Sequence, residues 1–248
     1  MPNDNLFIED HNSKTLTLTD GVYVIKKDII TPPGYKVILE PGVKILLTKN
    51  TSILVQGSFI AEGLENNKIE VKSFKQSEPF GTFSIHPTHK DSLVKLKHFE
   101  IKGGNEALIE GVYFSGQISI HSAKVFINDS TFLNSVSDDG INIKYSEVNI
   151  MNSYFANNLG DQIDLDYCIG SFSNNTLLFE SYDGLNNIEI DGLDISGSKI
   201  EIKSNIFKNF SAKGISVGEN SYPLIYRNSF VDSNMAIAVK DGSVAKID

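Results

Sequence analysis

The stretch SDDGINIKY, residues 137–145, decides the fold, because an acidic pair and a glycine lead directly into a short strand of alternating apolar and polar residues. Asp and Gly both tolerate the left-handed backbone of tight turns, so a single copy would be ordinary turn chemistry. The pattern returns in GDQIDLDY (160–167), DGLDISGS (191–198), KGISVGEN (213–220) and MAIAVKDG (235–242). The first apolar residues of these strands are Ile141, Ile163, Leu193, Ile215 and Ile237, at steps of 22, 30, 22 and 22 positions. A second marker, an aromatic closing an apolar strand, runs through Phe114, Phe132, Phe155, Phe179, Phe207 and Phe230 at steps of 18, 23, 24, 28 and 23. Two markers sharing one period are the signature of internal repetition.

Between the markers lie runs such as VKILL (43–47), SILVQ (52–56), KIEVKS (68–73), QISIHS (117–122), EVNIMN (147–152) and KIEIKS (199–204). Each alternates apolar and polar residues, is rich in β-branched side chains and is bounded by Gly, Asn, Asp or Ser, which reads as a strand between turns. A unit of about 22 residues holding two or three such strands is too short for a propeller blade and lacks the framework of a leucine-rich repeat. It fits one coil of a parallel β-helix, in which each strand pairs with its equivalent one turn away. The expected fold is therefore all-β: a single-stranded right-handed parallel β-helix of about eight or nine coils. Residues 21–248 form the solenoid, and the polar segment 1–20 is expected to belong to an N-terminal cap. The C-terminal KDGSVAKID ends in mid-coil, so further domains of a longer chain are expected as partners.

Composition narrows the function. The 248 residues carry a formal charge of −9, and Arg227 is the single arginine, which argues against a nucleic-acid surface built on clustered cations. No run approaches the eighteen apolar residues of a membrane-spanning helix. The start, MPNDNLFIED, has neither the basic nor the apolar region of a signal peptide. The lone Cys168 excludes an internal disulfide and a cysteine metal site, and it reads as a core thiol.

GYKVILEPGVKILLTKNTSILVQGSFIAEG (34–63) resembles the opening coils of bacterial right-handed parallel β-helix proteins of the pectate-lyase-like superfamily. The region from LKHFEIKGG (96–104) through GVYFSGQISIH (111–121) to KGISVGENS (213–221) resembles β-helix modules of bacterial surface and polysaccharide-associated proteins, some of them beside spore-coat protein H-like kinase domains. The resemblance implies a polysaccharide or surface glycan as partner and an extracellular or cell-surface location. It leaves activity open, since that superfamily holds lyases, glycosidases, epimerases and non-catalytic adhesins. Its polygalacturonase-type motif set is absent: Asp138-Asp139 is the sole adjacent Asp pair and no Gly-His-Gly occurs.

Side-chain alternation then places the carboxylates. With Ile141/Ile143, Ile163/Leu165, Leu193/Ile195, Ile215/Val217 and Ile237/Val239 inward, the residues between them form an outward column: Asn142, Asp164, Asp194, Ser216, Ala238. A second column is Lys144, Asp166, Ser196, Gly218, Lys240, and a third is Asp139, Asp161, Asp191, Lys213, Met235. Carboxylates about 5 Å apart repel by about 1 kcal/mol in water and about 3 kcal/mol at an effective dielectric near 20, so something must offset the ladder. Three readings follow. The ladder is a solvated polar face. It is a catalytic constellation for a lyase, hydrolase or epimerase, with Asp161, Asp164, Asp191, Asp194, Lys144 and Lys213 as acid–base groups and Asn142, Asp166, Ser216, Glu219 and Tyr167 as sugar-binding groups. Or it binds calcium through Asp139, Asp164 and Asp194. The alternative to an enzyme is a non-catalytic scaffold binding glycan or protein. The long step after Ile163 is expected to loop out around ESYDGLNN (180–187) and wall a groove, with Tyr167, Tyr182 and Tyr222 as stacking faces. The histidines His86, His89, His98 and His121 read as loop or structural residues.

Overall fold

The computed structural model describes residues 6–89, 91–180 and 189–248. Its strands follow one another in a fixed rotation through three long sheets. Sheet I contains eleven strands, from Ile8–Asp10 to Lys246–Ile247; sheet II has nine, from Gly21–Ile25 to Ser229–Val231; sheet III has nine, from Ile29–Ile30 to Met235–Val239. Nine strands in each of sheets II and III correspond to nine complete coils. All pairings within the winding are parallel, and they join residues about one repeat apart, such as Asp164 with Asp194 and Asp194 with Ser216.

The interior is a set of aligned columns. Ile118, Ile141, Ile163, Leu193 and Ile215 are buried along one line of sheet III, and Ile120, Ile143, Leu165, Ile195 and Val217 along the next. Each buried aliphatic chain contributes about 1.5–3 kcal/mol relative to exposure, and the fixed register multiplies that gain coil by coil. The DGLDISGS segment is the true rung after Ile163, as its pairing with Ile163–Asp166 shows. The second DGL, residues 183–185, offers an alternative rung leader in Leu185 that would bring Asp183 and Asn186 into the columns; it lies outside the described residues, as do Tyr182 and most of ESYDGLNN.

The aromatic series needs correction at two places. Phe132, Phe155, Phe207 and Phe230 share a column of sheet II, with stacked pairs Phe132–Phe155 and Phe207–Phe230 at 5.1 Å between ring centroids. The other rungs of that column are Ile101 and Leu177, not Phe114 and Phe179. Phe179 falls just beyond the strand Thr176–Leu178. Phe114 belongs to an insertion, the antiparallel hairpin Ala107–Ile109 and Val112–Phe114. An aromatic marks burial, but burial alone does not say which packed layer a residue joins.

Turns are held by repeated polar side chains. Ser130, Ser153, Asn175, Asn205 and Asn228 form a ladder in which each side chain accepts the backbone N–H of a residue one coil earlier, at 2.9–3.3 Å. A second ladder holds Ser146, Cys168, Ser198, Ser221 and Ser243, and here Cys168 stands at a serine position, fully buried, with Sγ 3.3 Å from the Ile143 carbonyl. Burial pushes its thiol up to about 12, consistent with the core-thiol expectation. At the N-terminal end, Thr15–Leu18 already pairs in parallel with Lys36–Leu39, so the winding starts inside the segment assigned to a cap. Ile8–Asp10 adds antiparallel beyond it, while Leu6 and Phe7 pack against the core.

Candidate functional site

The outward columns of sheet III are largely withdrawn from solvent in the middle coils, while their last rungs, Met235 and Lys240, are exposed. Asn142 and Ser216 are completely buried and Asp139 and Asp191 nearly so, while Asp161, Asp164 and Asp194 are half-buried. The hairpin insertion supplies one wall. Its two-residue turn, Glu110-Gly111, has positive φ at both residues (51° and 78°), the mirror-image turn that matches strand twist. The base of the hairpin is tied down by the Asp138 backbone N–H donating to Glu106 Oε2 at 3.2 Å. The result is a groove of about 350 Å³ lined by Tyr113, Ser115, Asp138, Asp139, Lys144, Gly160, Asp161, Asp164, Glu189 and Asp194. Gly160 permits the close approach of two coils there, since a Cβ at this position would lie 1.7 Å from the Asp138 carbonyl oxygen.

Desolvation and like charge act together on these carboxyls. Burial pushes Asp161 up to about 8, and the charges of Asp139, Asp191 and Asp194 add to it. Asp139 is pushed up to about 7, chiefly by burial, although Ser115 Oγ donates to its Oδ2 at 2.6 Å and opposes the shift. Asp164 is held well above the carboxylate range by burial and by Asp139, Asp166 and Asp194, even though Asn142 Nδ2 donates to its Oδ2 at 2.8 Å. Asp194 is raised by burial; Ser216 offsets this in part, yet lies outside hydrogen-bonding geometry, and Asp194 Oδ1 has no hydrogen-bond partner.

The lysines are neutralised locally. Burial lowers the Lys144 ammonium, but its 2.7 Å ion pair with Asp166 outweighs that and leaves it raised. Lys213 behaves likewise through a two-pronged contact with Asp191 at 2.8 and 3.1 Å. Behind the carboxyls, His121 Nε2 meets Asn142 Oδ1 and its Nδ1 meets His86 Nδ1, each at 3.4 Å. Burial lowers His121 to about 4 and also lowers His86, so both rings are neutral at physiological pH. This buried chain fixes the Asn142 amide with its nitrogen toward Asp164. It involves His121 more closely with the site than its reading as a structural residue implied.

Of the residues singled out from sequence, Asp161, Asp164, Asp194 and Lys144 come together in the groove, with Asp139 beside them. Asp191 and Lys213 form the ion pair at its border. Asn142, Asp166 and Ser216 lie behind or beside the lining rather than in it. Tyr167 and Glu219 are elsewhere, on the exposed turn following sheet III, where Tyr167 stacks on Tyr145 at 5.0 Å and its hydroxyl donates to Glu219 Oε2 at 3.2 Å. Gly197 in the next coil leaves room for the Tyr167 ring, which a Cβ would approach to 2.5 Å. Tyr113, Ser115 and Glu189 are lining residues that the columns did not reveal, because none belongs to the repeat. Among the described residues no group of three or more His, Cys, Asp or Glu is placed to hold a metal. Asp139, Asp164 and Asp194 are successive rungs of a ladder, not a cage.

A chain wound in parallel coils with an acidic groove on one sheet defines the class. Residues 90–248 match the model of the right-handed β-helix region, and the chain belongs to that family. The periplasmic alginate epimerase AlgG is similar at 10% identity, covering 96% of this chain and 79% of its own, with a TM-score of 0.36. A Dettilon tailspike protein is similar at 10% identity over 92% of this chain and 54% of its own (TM-score 0.37), and an alginate lyase from Paenibacillus sp. at 16% over 84% and 93% (TM-score 0.27). No curated protein matches the sequence. Among the described residues no helix is long and apolar enough to cross a membrane.

Proposed function

We propose that the groove binds a polysaccharide chain and carries out acid–base chemistry on it. The observation that supports this is the convergence of four carboxyls, Asp139, Asp161, Asp164 and Asp194, in one covered groove with two of them poised near neutrality. General acid–base catalysis works best when the pKa of the group lies near the operating pH. On this reading Asp161, protonated at neutral pH, donates to the departing glycosidic oxygen, and Asp194, which lines the same groove, accepts the matching proton. Lys144 sets the local field while Asp166 keeps it charged. In hydrolysis the accepted proton comes from the attacking water and in elimination from a sugar carbon; in epimerisation no linkage breaks, and Asp161 gives its proton to that carbon from the opposite face. Such a protein acts where polysaccharide is found, outside the cell or at its surface.

The test is a panel of neutral and uronate-containing polysaccharides assayed for new reducing ends, for ultraviolet absorbance of an unsaturated product, and for solvent deuterium at a sugar carbon. Activity that Asp161→Asn abolishes supports the proposal; absence of turnover on every member overturns it. A second reading, a non-catalytic glycan-binding module, is favoured by the exposed Tyr145–Tyr167 stack, since exposed aromatic faces suit sugar packing. It predicts binding that Tyr145→Ala removes and Asp161→Asn leaves intact.

A further inference from the structure

The acidic groove is one end of a longer trough. A cavity of about 450 Å³ adjoins it and shares Tyr113, Asp138 and Gly160 with it. That cavity in turn shares Val136 and Leu159 with a third, of about 590 Å³, whose far side carries Lys72 and Lys102. The segments that floor the trough, 134–138 and 157–160, are the turns joining sheet II to sheet III in two successive coils. The trough therefore runs around the corner of the solenoid, parallel to the strands, with an apolar saddle at Val136 and Leu159 between two polar ends.

The ends differ in charge. Lys72 and Lys102 are register partners in sheet II, so two ammonium groups stand on neighbouring rungs. Glu70 neutralises Lys72 and is shared with Lys44, whereas Lys102, half-buried, makes no ion pair among the described residues, although Glu100, two residues earlier on its strand, lines the same cavity. A lysine that makes no ion pair, in a cavity on a continuous path to the carboxyl groove, is placed to receive an anion. We propose that this cavity is a distal subsite holding an acidic sugar unit, carboxylated or sulfated, of the chain whose reacting linkage lies in the carboxyl groove. The inference rests on the reading of that groove as a glycan site. It adds that the glycan crosses the corner between sheets II and III and that Lys102 selects for negative charge several units from the reacting bond.

The experiment measures binding of labelled oligosaccharides from dimer to octamer in three series, uronate, sulfated and neutral, to wild type, Lys102→Met and Lys102→Arg. Unchanged melting temperatures establish that the variants are folded. The expected result is that Lys102→Met weakens the longer members of one acidic series about tenfold, the size of a lost charge-assisted contact. Dimers and neutral chains are unaffected, Lys102→Arg retains affinity, and the difference shrinks in high salt. The series that responds tells carboxylate from sulfate. Equal affinity of wild type and Lys102→Met for every acidic chain overturns the distal subsite, and leaves the groove reading standing if Asp161→Asn still abolishes turnover. A loss equal for dimers and octamers, or binding of neutral chains alone, also overturns it. No binding of any series removes both readings.

Discussion

The outward face of sheet II and the outward face of sheet III are built from successive strands of the same repeat, yet they treat charge in opposite ways. On sheet II, burial pushes Glu70 up, but hydrogen bonds from Lys44 and Lys72 outweigh it and hold the carboxyl below its ordinary range. On sheet III, Asp161 and Asp164 face other carboxyls under the cover of an inserted hairpin and are driven upward. On sheet II the Glu70 carboxylate is held between two ammonium groups, Lys44 and Lys72, that stay largely in water. Sheet III stacks like charge and keeps water back. That costs stability, which is why the proposed chemistry is assigned to this face.

The largest effect expected from this contrast is on turnover. Asp161→Asn should lower it about a thousandfold, within the usual range for a general acid, while Glu70→Gln on the sheet II face should leave it unchanged, both measured on whichever polysaccharide the panel identifies. Equal effects of the two substitutions would erase the distinction between the faces.

Next in size is the packing that closes the groove. Gly160→Ala forces a Cβ against the Asp138 carbonyl and should destabilise the protein by about 3 kcal/mol or more in denaturant unfolding, as overpacking against backbone does. Gly111→Ala, at the hairpin tip with open space around it, strains only the local turn and should cost about 1 kcal/mol.

Titration provides a third comparison. Asp139 and Asp161 have folded pKa values of about 7 and about 8, above the 3.8 of a free Asp side chain, so the folded state keeps protons that the unfolded chain has released. Their contribution is most favourable below about pH 4 and is lost as pH rises through 7 and 8. The melting temperature should therefore be higher at pH 5 than at pH 8.5, by a difference worth about 2 kcal/mol after allowance for solvent contact, and Asp161→Asn should flatten the profile. Glu70 acts in the reverse direction: its pairs stabilise above about pH 4.5, and that contribution disappears as pH falls through its depressed value, worth at most about 1 kcal/mol. A melting temperature that climbs from pH 5 to pH 8.5 would contradict the protonated state of the groove.

The smallest effect is expected at Cys168, on neither face. Serine occupies the equivalent position in the coils on either side, so Cys168→Ser should change stability by about 1 kcal/mol or less, and thiol reagents should not label the folded wild type.

The winding was legible because burial on one face of a period-two strand enforces register. Ile141, Ile163, Leu193, Ile215 and Ile237 fall on one line in the structure as their spacing requires. The composition of the carboxyl columns followed from that line. Their burial did not, because cover comes from residues outside the repeat. The hairpin at 107–114 announces itself only through Glu110-Gly111, a weaker two-residue turn signal than Asn-Gly or Asp-Gly, set among apolar residues that also suit a coil strand. Phe114 was drawn into the wrong column for the same reason. Tyr113 and Ser115 are invisible to periodicity, and Lys102 becomes notable only when the cavity beside it is known to continue into the groove.

The hairpin has its own small apolar cluster, Leu54, Ile109 and Phe114, apart from the main core. Its strands pair only with each other, and the coils before and after it stack without a gap, since Phe83–Ile85 pairs directly with Gly116–His121. It is thus a cassette clipped onto a finished scaffold. Lengthening, shortening or exchanging it would reshape the mouth of the groove while the winding beneath kept its pitch, and new specificities can be grafted there without redesigning the protein that carries them.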